Sequence, residues 1–133
     1  MELLINEVII PVLAIVLTAV ATAVADVGSD AFMAFTNRVD YQSRAYWSGG
    51  SVSLTVSGLS STGRYSVILY GARGNASYTA RWLDLVIGDV DGFSNNSSAG
   101  ASLSTAAMAN DTTRIVVGDN AAGRVFRYDN IQP

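Results

Sequence analysis

The sequence predicts an all-β protein: an antiparallel β-sandwich placed behind one long apolar N-terminal α-helix. Two observations carry this expectation. Residues 8–25 (VIIPVLAIVLTAVATAVA) hold no charged side chain, and only Thr18 and Thr22 interrupt them as polar groups. From Ser51 onward the rhythm changes to period two, with short alternating runs separated by clusters of Gly, Asn, Asp and Ser. The chain divides accordingly into an apolar helix over 1–27, a junction over 28–50 and a sandwich domain over 51–133.

An eighteen-residue helix at about 1.5 Å per residue spans roughly 27 Å, near the lower limit for crossing a bilayer core. Its apolar residues cover every side of the wheel, so lipid or other copies must bury it all round. Val8, Ile9, Leu13, Val16, Leu17, Val20 and Val24 are the expected assembly surface, and insertion in a membrane through residues 8–25 before assembly is the alternative use. Pro11 suits a first turn, where it loses no hydrogen bond. Ala23-Val24-Ala25 has the form of a signal-peptidase site, but Glu2 and Glu7 stand where a basic n-region belongs, so the segment is read as retained. The first basic residue after the span is Arg38, which leaves the positive-inside rule nearly silent.

In the junction, Ser29 or Asp30 caps a short helix carrying Phe32, Met33, Phe35 and Val39, and Gly49-Gly50 ends the region. Strands are expected at 51–57 (SVSLTVS), 64–70 (RYSVILY) and 78–87 (YTARWLDLVI), then after a polar loop over 88–100 at 101–105, 112–117 and 123–131. Alternation assigns Val52, Leu54, Val56, Val67, Leu69, Leu83, Leu85, Ile115 and Val117 to the sandwich core. Several short strands with turns between them are the pattern of an antiparallel sandwich.

Composition narrows function. The chain has no cysteine and no histidine, and all eight of its basic residues are arginines. Disulfides, thiolate metal sites, the commonest general base and lysine Schiff-base chemistry are excluded. No catalytic arrangement emerges and no cofactor is expected, so a non-enzymatic role is predicted. The net charge is −3 and the arginines are scattered, which argues against nucleic-acid binding.

The stretch SVSLTVSGLSSTGRYSVILYGARGN, an Asn/Ser loop and the closing GRVFRYDNI resemble small jelly-roll sandwiches of carbohydrate-binding-module type. Such modules are common in secreted proteins and in bacteriophage tail, fibre and capsid-decoration proteins. Gly58-Leu59, the run from Tyr65 to Arg73 and the run from Tyr128 to Ile131 carry the resemblance, which covers about residues 47–133 and implies a fold more than a ligand. The order of apolar helix then sandwich is similar to that of archaeal type IV pilins, although their prepilin leader is missing here. The opening MELLINEVIIPVL looks like the first span of a phage holin, with no second span after it.

Several residues are candidates for sites. Asp89 and Asp91, before Gly92, offer alternating oxygen ligands suited to calcium, but the full loop spacing is interrupted; a solvated turn explains the same residues. Trp82, Trp47 and Tyr46 are interface or ligand anchors, within a wider aromatic set of Tyr41, Tyr70 and Tyr78; core filling is their plainer use. Trp82 lies opposite in parity to Leu83, Leu85 and Ile87, hence on the outer face with Asp84. Asn75, Asn95, Asn96 and Asn110 head glycosylation sequons. Asp84, Asp89, Asp91, Asp119 and Asp129 could supply a carboxylate pair for glycoside hydrolysis, but no spacing fixes one.

The expected function is therefore a structural subunit of a virion or extracellular surface assembly. Its main reading is a bacteriophage fibre or decoration protein, a homo-oligomer joined through the apolar helix and packed against copies of itself and other virion or filament subunits. A pilin-like filament subunit with the helix in the filament core is the alternative. A membrane-anchored module binding a glycan is the third.

Overall fold

The computed structural model describes residues 12–18, 25–26, 28–35, 53–72 and 77–133; over 12–18 it describes the backbone alone. The chain there is mostly β, arranged as two sheets in a sandwich-like packing. One sheet has four strands in the order β1 (Val12–Thr18), β2 (Tyr65–Ala72), β7 (Val125–Gln132), β4 (Gly92–Asn95). The other has three, in the order β3 (Trp82–Val86), β6 (Thr112–Val116), β5 (Ser102–Ser104). All pairings are antiparallel except β1 with β2, which run parallel.

β2 is buried on both faces, which explains its near-continuous apolar run. Val67 and Leu69 point between the sheets, where they join Phe126 of β7 with Leu83, Leu85, Ala101, Ile115 and Val117. Ile68, Tyr70 and Ala72 point the other way, onto Ala31 and Phe35 of the helix α1 (Asp30–Phe35) and Val125. The six sandwich-domain core positions expected from Val67 onward thus share one cluster. On α1, Ala31 and Phe35 are four residues apart and bury one stripe. Ser29 caps the helix, its Oγ accepting from the Phe32 amide at 3.3 Å. Phe32 and Met33, expected to help carry this helix, are exposed instead; Val39 lies outside the described residues.

Three expectations need correction. The apolar run is not helical where it is described: Val12–Thr18 is the edge strand β1, registered from Val12 against Ser66 to Thr18 against Ala72. Apolarity on every side suits a strand covered on both faces as well as a buried helix, and Val12, Ile15, Val16 and Thr18 are β-branched, which favours the strand. Leu13, Val16 and Leu17 therefore lie on a strand, while Val8, Ile9, Val20 and Val24 are outside the described residues. Among the described residues no helix is long and apolar enough to cross a membrane.

The expected strand at 51–57 is also absent over 53–57, which belong to no strand and form no backbone hydrogen bond with another described residue; Leu54 is 64% and Val56 46% exposed. Val52 lies outside the described residues. Conversely, the polar loop over 88–100 contains a strand. β4 has no apolar alternation; it forms by pairing Ser94 with Asp129 and Asn95 with Tyr128 along the edge of β7.

Candidate functional site

The three-stranded sheet has one face on the core and one on solvent, and the alternation of β3 and β6 decides which residues go where. Leu83 and Leu85 pair with Ile115 and Thr113 on the inner face. Trp82, Asp84 and Val86 pair with Val116, Arg114 and Thr112 on the outer one. Ser102 and Ser104 of β5 continue the same outer rows beside Arg114 and Thr112. Trp82 is 55% exposed, and Val86 and Val116 are exposed with it.

At the centre of this face Arg114 forms a two-pronged ion pair with Asp84. Its Nε donates to Oδ1 and its Nη2 to Oδ2, each at 2.6 Å. The guanidinium carbon also sits 5.1 Å from the Trp82 ring centroid, within cation–π range. The Arg114 hydrogen bond holds the Asp84 carboxyl below the usual carboxylate range, against a smaller opposing effect of burial. The same bond pushes Arg114 upward. Each charge answers the other, so the face is nearly neutral, and the indole and two valines form its apolar part. An exposed ion pair adds little to stability, typically about 0–1 kcal/mol. Its effect here is geometric: it fixes Arg114 beside the indole.

No protein-family model, characterised protein or solved structure matches the chain.

The other sequence-derived candidates fall in several places. Trp47, Tyr46 and Asn75 lie outside the described residues. Tyr70 is a core residue, its hydroxyl donating to the Asn120 carbonyl at 3.1 Å, and burial above all pushes its pKa up to about 12. Asp89 and Asp91 are exposed in the turn before β4; Asp89 has φ 55°, a conformation Asp tolerates, and the Asp91 amide donates to the Gln132 carbonyl at 2.7 Å. Among the described residues no three acidic side chains gather in a metal-sized cluster.

The Asn95 amide group is used inside the fold. Its Nδ2 donates to the Asn110 carbonyl at 2.7 Å and to Thr113 Oγ1 at 2.8 Å, and its Oδ1 accepts from Ser97 Oγ at 2.7 Å. Asn96 is exposed but donates to Asp129 at 2.8 Å; Asn110 is exposed in a left-handed turn with φ 60°. Of the carboxylates considered for hydrolysis, Asp84 is held by Arg114. Asp129 is buried and accepts from Ser66 at 2.6 Å, Asn96 at 2.8 Å and Arg127 at 2.7 Å. Burial alone pushes Asp129 up, but these three donors outweigh it and leave the carboxyl low.

A groove of about 240 Å³ runs beside α1, lined in part by Asp30, Met33, Ile68 and Arg127. Its charges are engaged, Asp30 accepting from Ser98 and Arg127 pairing with Asp129. Sequence reasoning missed Asp111 and Asn120, two buried polar residues that organise the loops. Both sit in turn-rich segments (AAMANDTT and VGDNAAGR), where an Asx side chain bonding its own backbone was the available signal.

Proposed function

We propose that the chain is a non-enzymatic structural subunit of a surface assembly, of the bacteriophage fibre or decoration kind, and that the outer face of its three-stranded sheet contacts a neighbouring subunit. One observation carries this: a tryptophan more than half exposed, paired across the strands with exposed Val116, sharing its face with exposed Val86 and held beside a closed Arg–Asp pair. Aromatic residues and arginine are enriched at interface centres, while unpaired charge is depleted there. This face takes over the role first expected of an apolar helix. The resemblance of residues 47–133 to jelly-roll sandwiches of phage surface proteins is consistent with this use.

The exposed indole also favours a second reading, a module that binds a glycan by stacking a pyranose ring on Trp82. One variant separates the two. Trp82→Ala in the full chain should leave the melting temperature nearly unchanged, because the ring adds little to the core. Assembly measured by sedimentation velocity should weaken by about 2 kcal/mol, roughly thirtyfold. A large fall in melting temperature with assembly intact would make Trp82 a stability residue and end the proposal. Saturable sugar binding on a glycan array, lost in the variant, would replace the subunit reading with the binding module.

A further inference from the structure

Residues 53–57 (SLTVS) alternate polar and apolar as a strand does, yet they lie exposed on the surface and in no strand among the described residues. Their backbone groups bond no other described residue, and Leu54 and Val56 are 64% and 46% exposed. A strand-forming segment with an exposed apolar side is unfavourable in water and a template for pairing with another chain. Gly58 follows it in a left-handed conformation at φ 76°, with open space where a Cβ would stand.

An edge of matching length exists. β3 is the end strand of its sheet, and on the side away from β6 no strand adjoins it among the described residues. Its inward-pointing Leu83 and Leu85 belong to the sandwich core but are only half-buried, so the core is open at this edge. The spacing agrees: Leu54 and Val56, two apart, would continue the Leu83 and Leu85 rows, while Thr55 joins the outer face beside Asp84. β5, at the other end of the sheet, has only three residues, all exposed, and one core-facing position.

We propose that residues 53–57 of one copy add as a strand to the open β3 edge of a second copy, closing its core with Leu54 and Val56. This rests on the assembly reading above and names its partner: another molecule of the same chain. The added strand borders the Trp82 face, so one contact between copies would include both. Main-chain hydrogen bonds would hold the strand and the two apolar side chains would set its register.

The absence of cysteine makes the test clean. One batch of full-length chain carries Thr55→Cys and a size tag; the other carries Val86→Cys without the tag. They are mixed and treated with a bis-maleimide of about 10 Å span, which covers a register uncertainty of roughly three residues. A mixed-mass dimer band is expected. Thr55→Pro, which removes a ladder donor, should turn the oligomer into folded monomer with an unchanged melting temperature, because residues 53–57 touch little in the single chain. In a third chain carrying both Thr55→Cys and Val86→Cys, cross-linking confined within one molecule, with no mixed band from the two single variants, would show the segment pairing with its own β3 and overturn the proposal. An oligomer that survives Thr55→Pro and gives no mixed band would overturn it too, while leaving the assembly reading intact. A wild-type chain that stays monomeric at every concentration would remove both.

Discussion

Asn120→Ala should cost a large share of the fold's stability, although the residue touches no candidate site. Asn120 is fully buried, and its side chain closes three hydrogen bonds. Nδ2 donates to the Gly71 carbonyl at 3.0 Å and to the Arg124 carbonyl at 2.8 Å, and Oδ1 accepts from the Arg124 amide at 2.9 Å. The side chain thereby ties the end of β2 to the turn that feeds β7. Its main-chain carbonyl accepts from Tyr70 and from the Gly123 amide, so the whole turn hangs on this position. Truncation leaves two carbonyls and an amide without partners, each worth about 1–3 kcal/mol when buried. Arg124 is only partly buried and water can reach some of these groups, so a loss of about 3–5 kcal/mol is expected. Against a usual total of roughly 5–15 kcal/mol, that should lower the melting temperature by on the order of 15 °C. Asp119→Ala, one residue earlier and exposed, serves as the control and should shift it little. An Asn120→Ala variant melting within a few degrees of wild type would show that the turn is held by its main chain alone.

The contrast between Asn120 and its surroundings shows what a sequence of this kind reveals. β3 and β6 were legible because each has one wet face: Leu83 and Leu85 against Trp82, Asp84 and Val86, and Ile115 against Arg114 and Val116. That alternation also placed Trp82 outside. The bond between Asp84 and Arg114 was not legible, because it depends on the register of two strands thirty residues apart. Residues 12–18 misled for a different reason. An apolar run without a polar face contains no periodicity to separate a buried helix from a strand covered on both sides. At 53–57 the alternation is real, but it states only that a strand needs a partner, not where the partner is. β4 was invisible because Gly92, Phe93, Ser94 and Asn95 have no strand signal of their own, and its pairing to β7 forms it. Asn120 and Asp111 look like ordinary turn residues, since burial of a turn is decided by what packs over it.

Acidification should destabilise the protein largely through Asp111, with Asp129 and Asp84 contributing in the same direction. The Asp111 carboxylate is buried and accepts four hydrogen bonds. Oδ1 takes the Ala106 amide at 2.6 Å and the Thr112 hydroxyl at 2.9 Å; Oδ2 takes the amides of Ala107 at 2.6 Å and Met108 at 2.8 Å. Its main-chain carbonyl accepts from the Tyr128 hydroxyl at 3.0 Å and from the Ile87 amide at 3.0 Å, linking the loop to the centre of the sandwich. The Ala106 amide above all, with those of Ala107 and Met108 and the Thr112 hydroxyl, holds the carboxyl far below the usual carboxylate range, although burial opposes this. A carboxyl whose pKa is lower folded than unfolded contributes stability that is complete above the unfolded value of about 3.9. That contribution is lost as pH falls from there toward the folded value. Asp129 and Asp84 shift in the same direction, so their contributions add to the slope. The melting temperature should therefore be flat from neutral pH down to about 5 and fall steeply below about 4. Asp111→Asn replaces one acceptor oxygen by an N–H₂ group facing backbone N–H donors, so it should lower the melting temperature at pH 7 by on the order of 10 °C. It should also make the acid slope shallower, because one of the titrating contributions is gone. If the variant keeps the full wild-type slope, the acid sensitivity belongs to Asp129 and Asp84, and the loop over 105–111 is held without the Asp111 charge.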